Sequence, residues 1–187
     1  HAFEKLDRMD FITGFSSTEA YHDAPLPIGF GQTISQPSLV ALMTQQLDVQ
    51  PRDHVLEIGT GSGFQTAILA EMAGHVTSIE FVPELCQRAK IRLEAMGYRN
   101  ITCICGNGHD GAHEFAPFDR IMATAAASEI PQELTDQLAI GGKMLIPLGP
   151  EHSVQYLTMV SKSGDGNITA KQGLAVRFVP FVKNSVE

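Results

Sequence analysis

Between Pro51 and Gly149 the chain alternates short apolar runs with amphipathic ones. "HVLEIG", "HVTSIEF", "NITCIC", "FDRIMATAAA" and "GGKMLIPLG" have the length and near-continuous apolar character of strands buried on both faces. "FQTAILAEMA", "PELCQRAKIRLEAM" and "PQELTDQL" lie between them with helical character. Strand and helix in turn predict a mostly parallel sheet with helices on both faces. Ahead of this core, "SLVALMTQQL" places Leu39, Val40, Leu42, Met43 and Leu47 at helical spacing, with Pro37 and Ser38 suited to its first turn. Residues 1–24 read as helical and then irregular. After the core, "SVQYLTMVSK" and "AVRFVPF" flank the turn former "SGDGN", which predicts an antiparallel hairpin on the sheet edge. The expected α/β fold has seven strands in one domain. Residues 1–50 form the N-terminal helices and a covering loop, 51–150 the core, and 151–187 the edge hairpin.

One stretch fits neither strand nor linker. "PLPIGFGQTISQPSLV" has no charged residue, although the chain of 187 residues carries 13 Lys and Arg and 21 Asp and Glu. It reads as a stiff, neutral, hydroxyl-bearing loop. The net charge of −8 gives no support to a nucleic-acid partner, which needs a basic face. No apolar run approaches the roughly 18 residues of a membrane helix, and "HAFEKLDRMD" has no signal-peptide core. The seven histidines are scattered without metal-ligand spacing, so no metal site is expected. The three cysteines are Cys86, Cys103 and Cys105. Cys103 and Cys105 share one face of a strand and do not bridge each other. The plain reading is three buried small hydrophobes in a reducing, cytoplasmic compartment.

Chemistry concentrates at "VLEIGTGSGF", which closes the first core strand and opens a helix. Gly59, Gly61 and Gly63 permit a sharp turn and a close backbone approach to a ligand at a helix N-terminus. The dinucleotide fingerprint fails in both registers, because Phe64 or Thr66 stands where its third glycine is needed. No Gly-Lys-Ser/Thr follows, so a P-loop fails too. What is present is an acidic residue, Glu57, two before Gly59, and glycines spaced by two. Glu80 ends the second core strand, where a carboxylate accepts from both ribose hydroxyls. Asn107 and Gly108 end the third, with Asp110 just beyond.

Glu57-x-Gly59-x-Gly61-x-Gly63, Glu80 and Asn107-Gly108 in order resemble the cofactor motifs of the S-adenosylmethionine-dependent methyltransferases, with their Rossmann-like fold. "PLPIGFGQTISQP", "TAAASEIP", "GGKMLIPLG" and "VRFVPF" together resemble the protein-L-isoaspartate O-methyltransferases over nearly the whole chain. That resemblance implies methyl transfer from S-adenosyl-L-methionine, leaving S-adenosyl-L-homocysteine, to the α-carboxylate of L-isoaspartyl residues in damaged proteins and peptides. Gln32, Thr33, Ile34, Thr60, Ser62 and Phe81 then join the cofactor site. Ser35 matches the family's active-site serine, whose hydroxyl donates to the substrate carboxylate. Ala125, Ala126, Ala127 and Ile130 supply a small-residue wall and backbone groups for an extended peptide.

From spacing alone, Thr33 and Ser35 read first as caps of the helix beginning near Pro37, and the family resemblance turns the reading to a site role. Asn107 stands where the methyltransferases usually have an Asp near the adenine amino group, a bond its amide oxygen can still accept, with Asp110 as the alternative; Phe81 stands where a basic residue is common, and Ser128 where Pro is frequent. Family members carry a further helix ahead of "HAFEKLDRMDFI", so the chain reads as a trimmed or short member. It is expected to act as a monomer, with no nucleic-acid or membrane partner. The alternatives are a methyltransferase of the same fold acting on a small molecule or another protein group, and a non-catalytic cofactor-binding module. A nicotinamide oxidoreductase is disfavoured by Phe64 and Thr66.

Overall fold

The structure is a computed structural model that describes residues 2–150 and 153–181. The chain opens with α1 (Ala2–Lys5), a 3₁₀ turn (Arg8–Phe11) and α2 (Ser17–Tyr21), followed by β1 (Leu26–Gly29), β2 (Gln32–Ile34) and α3 (Pro37–Leu47). The core runs β3 (His54–Ile58), α4 (Phe64–Ala70), β4 (His75–Glu80), α5 (Pro83–Ala95), β5 (Ile101–Cys105), β6 (Phe118–Ala123), α6 (Gln132–Gln137) and β7 (Leu138–Leu148). β8 (Gln155–Lys162) and β9 (Ile168–Val176) complete the sheet.

Seven strands lie in the order β5-β4-β3-β6-β7-β8-β9. β5 through β7 are mutually parallel, and β8 and β9 are antiparallel. The sheet is sided by strand alternation. Val55, Met122 and Leu145 pack with α3 and α4, whereas Leu56, Ile121, Ala123 and Met144 pack on the opposite face with Leu134 of α6. α5 joins the first face through Leu93, which shares a cluster with Phe64, Ala67 and Ile68.

The amino-terminal rim of the sheet is tied by polar contacts. The backbone N–H of His54 donates to Asp119 Oδ2 at 2.8 Å, and Arg120 pairs with Asp53 at 3.4 Å. The rings of His54 and His75 meet edge to face at 5.3 Å. Among the described residues no helix is long and apolar enough to cross a membrane.

Three expectations are corrected. The neutral stretch is not a loop but the antiparallel hairpin β1–β2, with Leu26 opposite Ile34 and Pro27 opposite Thr33. Its turn residues Phe30 and Gly31 have φ of 53° and 71°, the double-positive pattern that matches strand twist. Second, the strand after "SGDGN" is Ile168–Val176 rather than "AVRFVPF". Residues 177–181 leave the sheet edge and return to the carboxyl ends of the central strands; 151–152 and 182–187 lie outside the described residues. Third, Cys86 and Cys105 are not small hydrophobes. They form a disulfide with a Cα–Cα distance of 5.6 Å, and Cys103 alone is free.

Candidate active site

A cavity opens at the carboxyl ends of β3, β4 and β6, where the strand order reverses between β3 and β6. The chain changes direction there on glycines. Gly59, Gly61 and Gly63 have φ of 95°, 54° and 87°, a region other residues avoid. A Cβ on Gly59 would come within 2.3 Å of Thr124 Oγ1, which itself donates to the carbonyls of Ile58 and Gly59. A Cβ on Gly108 would meet Ile58 Cγ2 at 2.5 Å and the Phe181 ring at 3.0 Å. At both positions the neighbours already occupy the space a side chain would need, so the backbone packs closely against the cavity wall.

Glu80 sits on the cavity wall, 6% exposed. Its Oε2 accepts from Gly61 N–H at 2.7 Å and its Oε1 from Val82 N–H at 2.9 Å. These bonds orient the carboxylate and leave each oxygen a further lone pair. No Lys, Arg or His is among the described residues that line the cavity, and Glu80 is its one ionisable carboxylate.

The hairpin β1–β2 forms the opposite wall with Gln32, Thr33, Ile34 and Ser35. It is anchored by Arg8, which is 1% exposed. The Arg8 guanidinium donates to the carbonyls of Ala20, Ala24 and Ser35, the last at 2.9 Å. Burial lowers the affinity of Arg8 for its proton. The N-cap of α3 is Gln36, whose side chain makes no cap bond; the first turn is bonded instead by Asp23, whose Oδ1 accepts from Ser38 N–H at 2.9 Å. Capping by Thr33 or Ser35 is therefore set aside, and both residues line the cavity.

The structure brings together most, not all, of the expected residues. Gly59, Thr60, Gly61, Ser62, Glu80, Phe81, Gly108 and Ala125 line the cavity. Gly63 lies just behind them as the N-cap of α4. Glu57 does not reach the wall. It is fully buried beneath the loop, where Oε2 accepts from Thr66 at 2.5 Å and Ser78 at 2.6 Å, while Oε1 is unpartnered. Burial pushes its carboxyl up to about 7 against those two hydrogen bonds. The side chain of Asn107 is spent on local structure, its oxygen accepting from His109 N–H at 3.1 Å. Asp110 is exposed in the 3₁₀ turn that follows. Ile130 packs against the sheet core instead of the cavity.

The backbone groups expected to receive a peptide are already engaged. Ala126 exchanges bonds with Val179 and Phe181, and Ala127 with Pro147 and Gly149, all at 2.9–3.0 Å. Ala126 and Ala127 thus build the wall's frame rather than an open edge. Sequence reasoning also missed Val179, Pro180 and Phe181, which line the cavity. The Phe181 ring stacks on His109 at 3.8 Å. The aromatic and apolar run "VRFVPF" was a signal of burial that an edge strand does not require.

A family model described as protein-L-isoaspartate(D-aspartate) O-methyltransferase matches residues 1–186. The chain belongs to this family. It is 50% identical over 180 residues to a protein-L-isoaspartate O-methyltransferase 1 of Nitrosospira multiformis, covering 96% of this chain and 76% of that protein. A protein-L-isoaspartate O-methyltransferase of Anaeromyxobacter dehalogenans is also 50% identical, over 181 residues, with 96% and 87% covered. A solved protein-L-isoaspartate O-methyltransferase superposes with a TM-score of 0.90 at 30% identity, covering 98% of this chain and 60% of its own. A Plasmodium falciparum structure, titled a putative member in complex with S-adenosyl-L-homocysteine, gives 0.84 at 28% identity, covering 98% and 89%. The carboxyl-end cavity, the covering hairpin and the returning segment are thus the parts of a methyltransferase-family fold that this chain builds from its own residues.

Proposed function

We propose that this chain repairs damaged proteins by methylating the α-carboxylate of L-isoaspartyl residues with S-adenosyl-L-methionine. The observation that carries the cofactor is the charge of the cavity. A glycine-lined pocket without a cation, holding the Glu80 carboxylate, suits a sulfonium ligand and repels a pyrophosphate. Family membership carries the substrate.

The bound cofactor supplies an electrophilic methyl group and leaves as S-adenosyl-L-homocysteine. The chain's residues do the rest. Glu80 accepts from the ribose hydroxyls, and Gly59, Gly61 and Gly108 let the backbone close around the ligand. The substrate carboxylate is already a nucleophile, so no strong base is required. The Ser35 hydroxyl donates to one of its oxygens and aims the other at the methyl carbon. The neutral hairpin covers the reaction without repelling the carboxylate, and Ala125 leaves room for the peptide. The peptide is held through these walls and not through Ala126 or Ala127 backbone groups. The methyl ester then closes to a succinimide, which reopens in part to normal aspartate. We further propose that residues 1–187 act as one domain and as a monomer, in the cytoplasm.

Labelled S-adenosyl-L-methionine and two peptides that differ only in isoaspartyl or aspartyl linkage test this, with cofactor binding measured on the same sample. Transfer to the isoaspartyl peptide alone is expected. Ser35→Ala should lower that transfer by on the order of tenfold to a hundredfold while cofactor affinity holds. Equal transfer to both peptides, or to neither while the cofactor binds, would replace the repair reading with another methyl acceptor.

A further inference from the structure

The disulfide lies where it has a consequence for the cavity. Cys105 is the ladder partner of Glu80 across β4 and β5. The next residue, Gly106, donates its N–H to the Glu80 carbonyl at 2.9 Å. Two residues further on, Gly108 forms the cavity floor. Cys86 lies in the first turn of α5, and its N–H donates to Val82 O at 3.0 Å. Val82 in turn donates to the Glu80 carboxylate. The bond between the sulfurs therefore closes a ring around Glu80. It joins the Glu80–Val82 loop to the Gly106–Gly108 loop, the two segments that meet the adenosine half of the ligand in the reading above.

The pair is also reachable. Cys105 is exposed, whereas Cys86 is 1% exposed. The free thiol two residues away does not compete, because burial pushes the Cys103 proton affinity up to about 11 and keeps it un-ionised.

We infer that the Cys86–Cys105 bond is a redox-modification site for thiol reductants, and that its reduction weakens cofactor binding. A thiolate of a dithiol reductant attacks the Cys105 sulfur. The S–S bond breaks, and Cys86 leaves as a thiolate that then takes a proton from solvent. The reductant's second thiol displaces Cys105 from the mixed disulfide. Two electrons pass, the reductant becomes a disulfide, and the protein holds two thiols. No cross-link then joins the first turn of α5 to the end of β5, and the spacing of the two loops is left to the β4–β5 ladder and the Gly106–Glu80 hydrogen bond. Linkage makes the effect mutual: a ligand that binds the oxidised form more tightly makes that bond harder to reduce by the same factor.

The inference rests on the cofactor reading, and the test separates the two. The protein is oxidised with diamide or reduced with dithiothreitol, and each state is verified by alkylation and intact mass. Binding of S-adenosyl-L-homocysteine is then measured by calorimetry. Alkylated in denaturant, oxidised protein should take one alkyl group and reduced protein three, the full cysteine count. Affinity should fall on reduction by on the order of fivefold to tenfold. Saturating ligand should shift the glutathione equilibrium of the pair by the same factor; a tenfold change is about 30 mV for a two-electron couple. Cys86→Ser with Cys105→Ser should bind like the reduced protein in both conditions, and Cys103→Ser should keep the response. Three alkyl groups on the oxidised protein, or equal affinity in the two states, would overturn the inference and leave the cofactor reading intact. Absence of binding in both states would overturn the cofactor reading and this inference with it.

Discussion

Glu57 places a carboxyl in the interior without a countercharge, and its pH dependence follows. The folded protein holds the Glu57 proton up to about pH 7, against the ordinary 4.5. Through that window the native state keeps a proton that the unfolded chain has lost, so stability falls as pH rises. The group favours the fold fully below 4.5 and carries its whole penalty above about 7. Glu57→Gln removes the titration. Relative to that variant, the wild type should lose on the order of 2–3 kcal/mol of unfolding free energy between about pH 5 and about pH 8. Chemical denaturation across that range checks it; parallel pH profiles would show that Glu57 does not titrate there. Gly108 makes the complementary point with volume instead of charge. In Gly108→Ala the new methyl meets Ile58 and Phe181, so about 1–3 kcal/mol of stability should be lost. S-adenosyl-L-homocysteine affinity should fall too, because both neighbours line the cavity. A variant with unaltered melting and affinity would mean that the floor yields freely.

At the scale of elements, Arg8 decides whether the covering hairpin is in place. One buried guanidinium bonds carbonyls from Ala20, Ala24 and Ser35, so it gathers α2, the approach to β1 and the end of β2. Arg8→Ala strands those carbonyls and should cost about 3 kcal/mol. It should also raise the ligand's dissociation constant, read by calorimetry on protein shown folded by circular dichroism. The core strands were legible in the sequence because burial on both faces writes an apolar run that needs no knowledge of the partner strand. The cofactor loop was legible because its positive-φ glycines have a chemical signature of their own. The hairpin was not, because pairing such as Leu26 with Ile34 leaves no run in a stretch rich in proline and glycine. Arg8 was unreadable for a related reason: its partners are backbone carbonyls 12 to 27 residues away. The disulfide joins cysteines 19 residues apart on a helix and a strand, and only their packing reveals it. Spacing also located Glu57 on its strand but not the face on which its carboxyl ends.

At the scale of the molecule, the two rims of the sheet carry different work. The carboxyl ends hold the cavity, the hairpin and the returning Val179–Phe181 segment. The amino ends hold Asp53, Arg120, Asp119 and the paired His54 and His75. Arg120 also donates to Leu47 O at 3.0 Å, so α3 is tied to the rim opposite the one its first turn helps to cover. This separation bears on how such a protein can change. Loops on the ligand rim can be lengthened, shortened or recoloured with charge while the clamps at the far rim go on specifying the same strand order. A lineage, or a designer, seeking a new methyl acceptor therefore has one rim to rewrite and the other to leave alone.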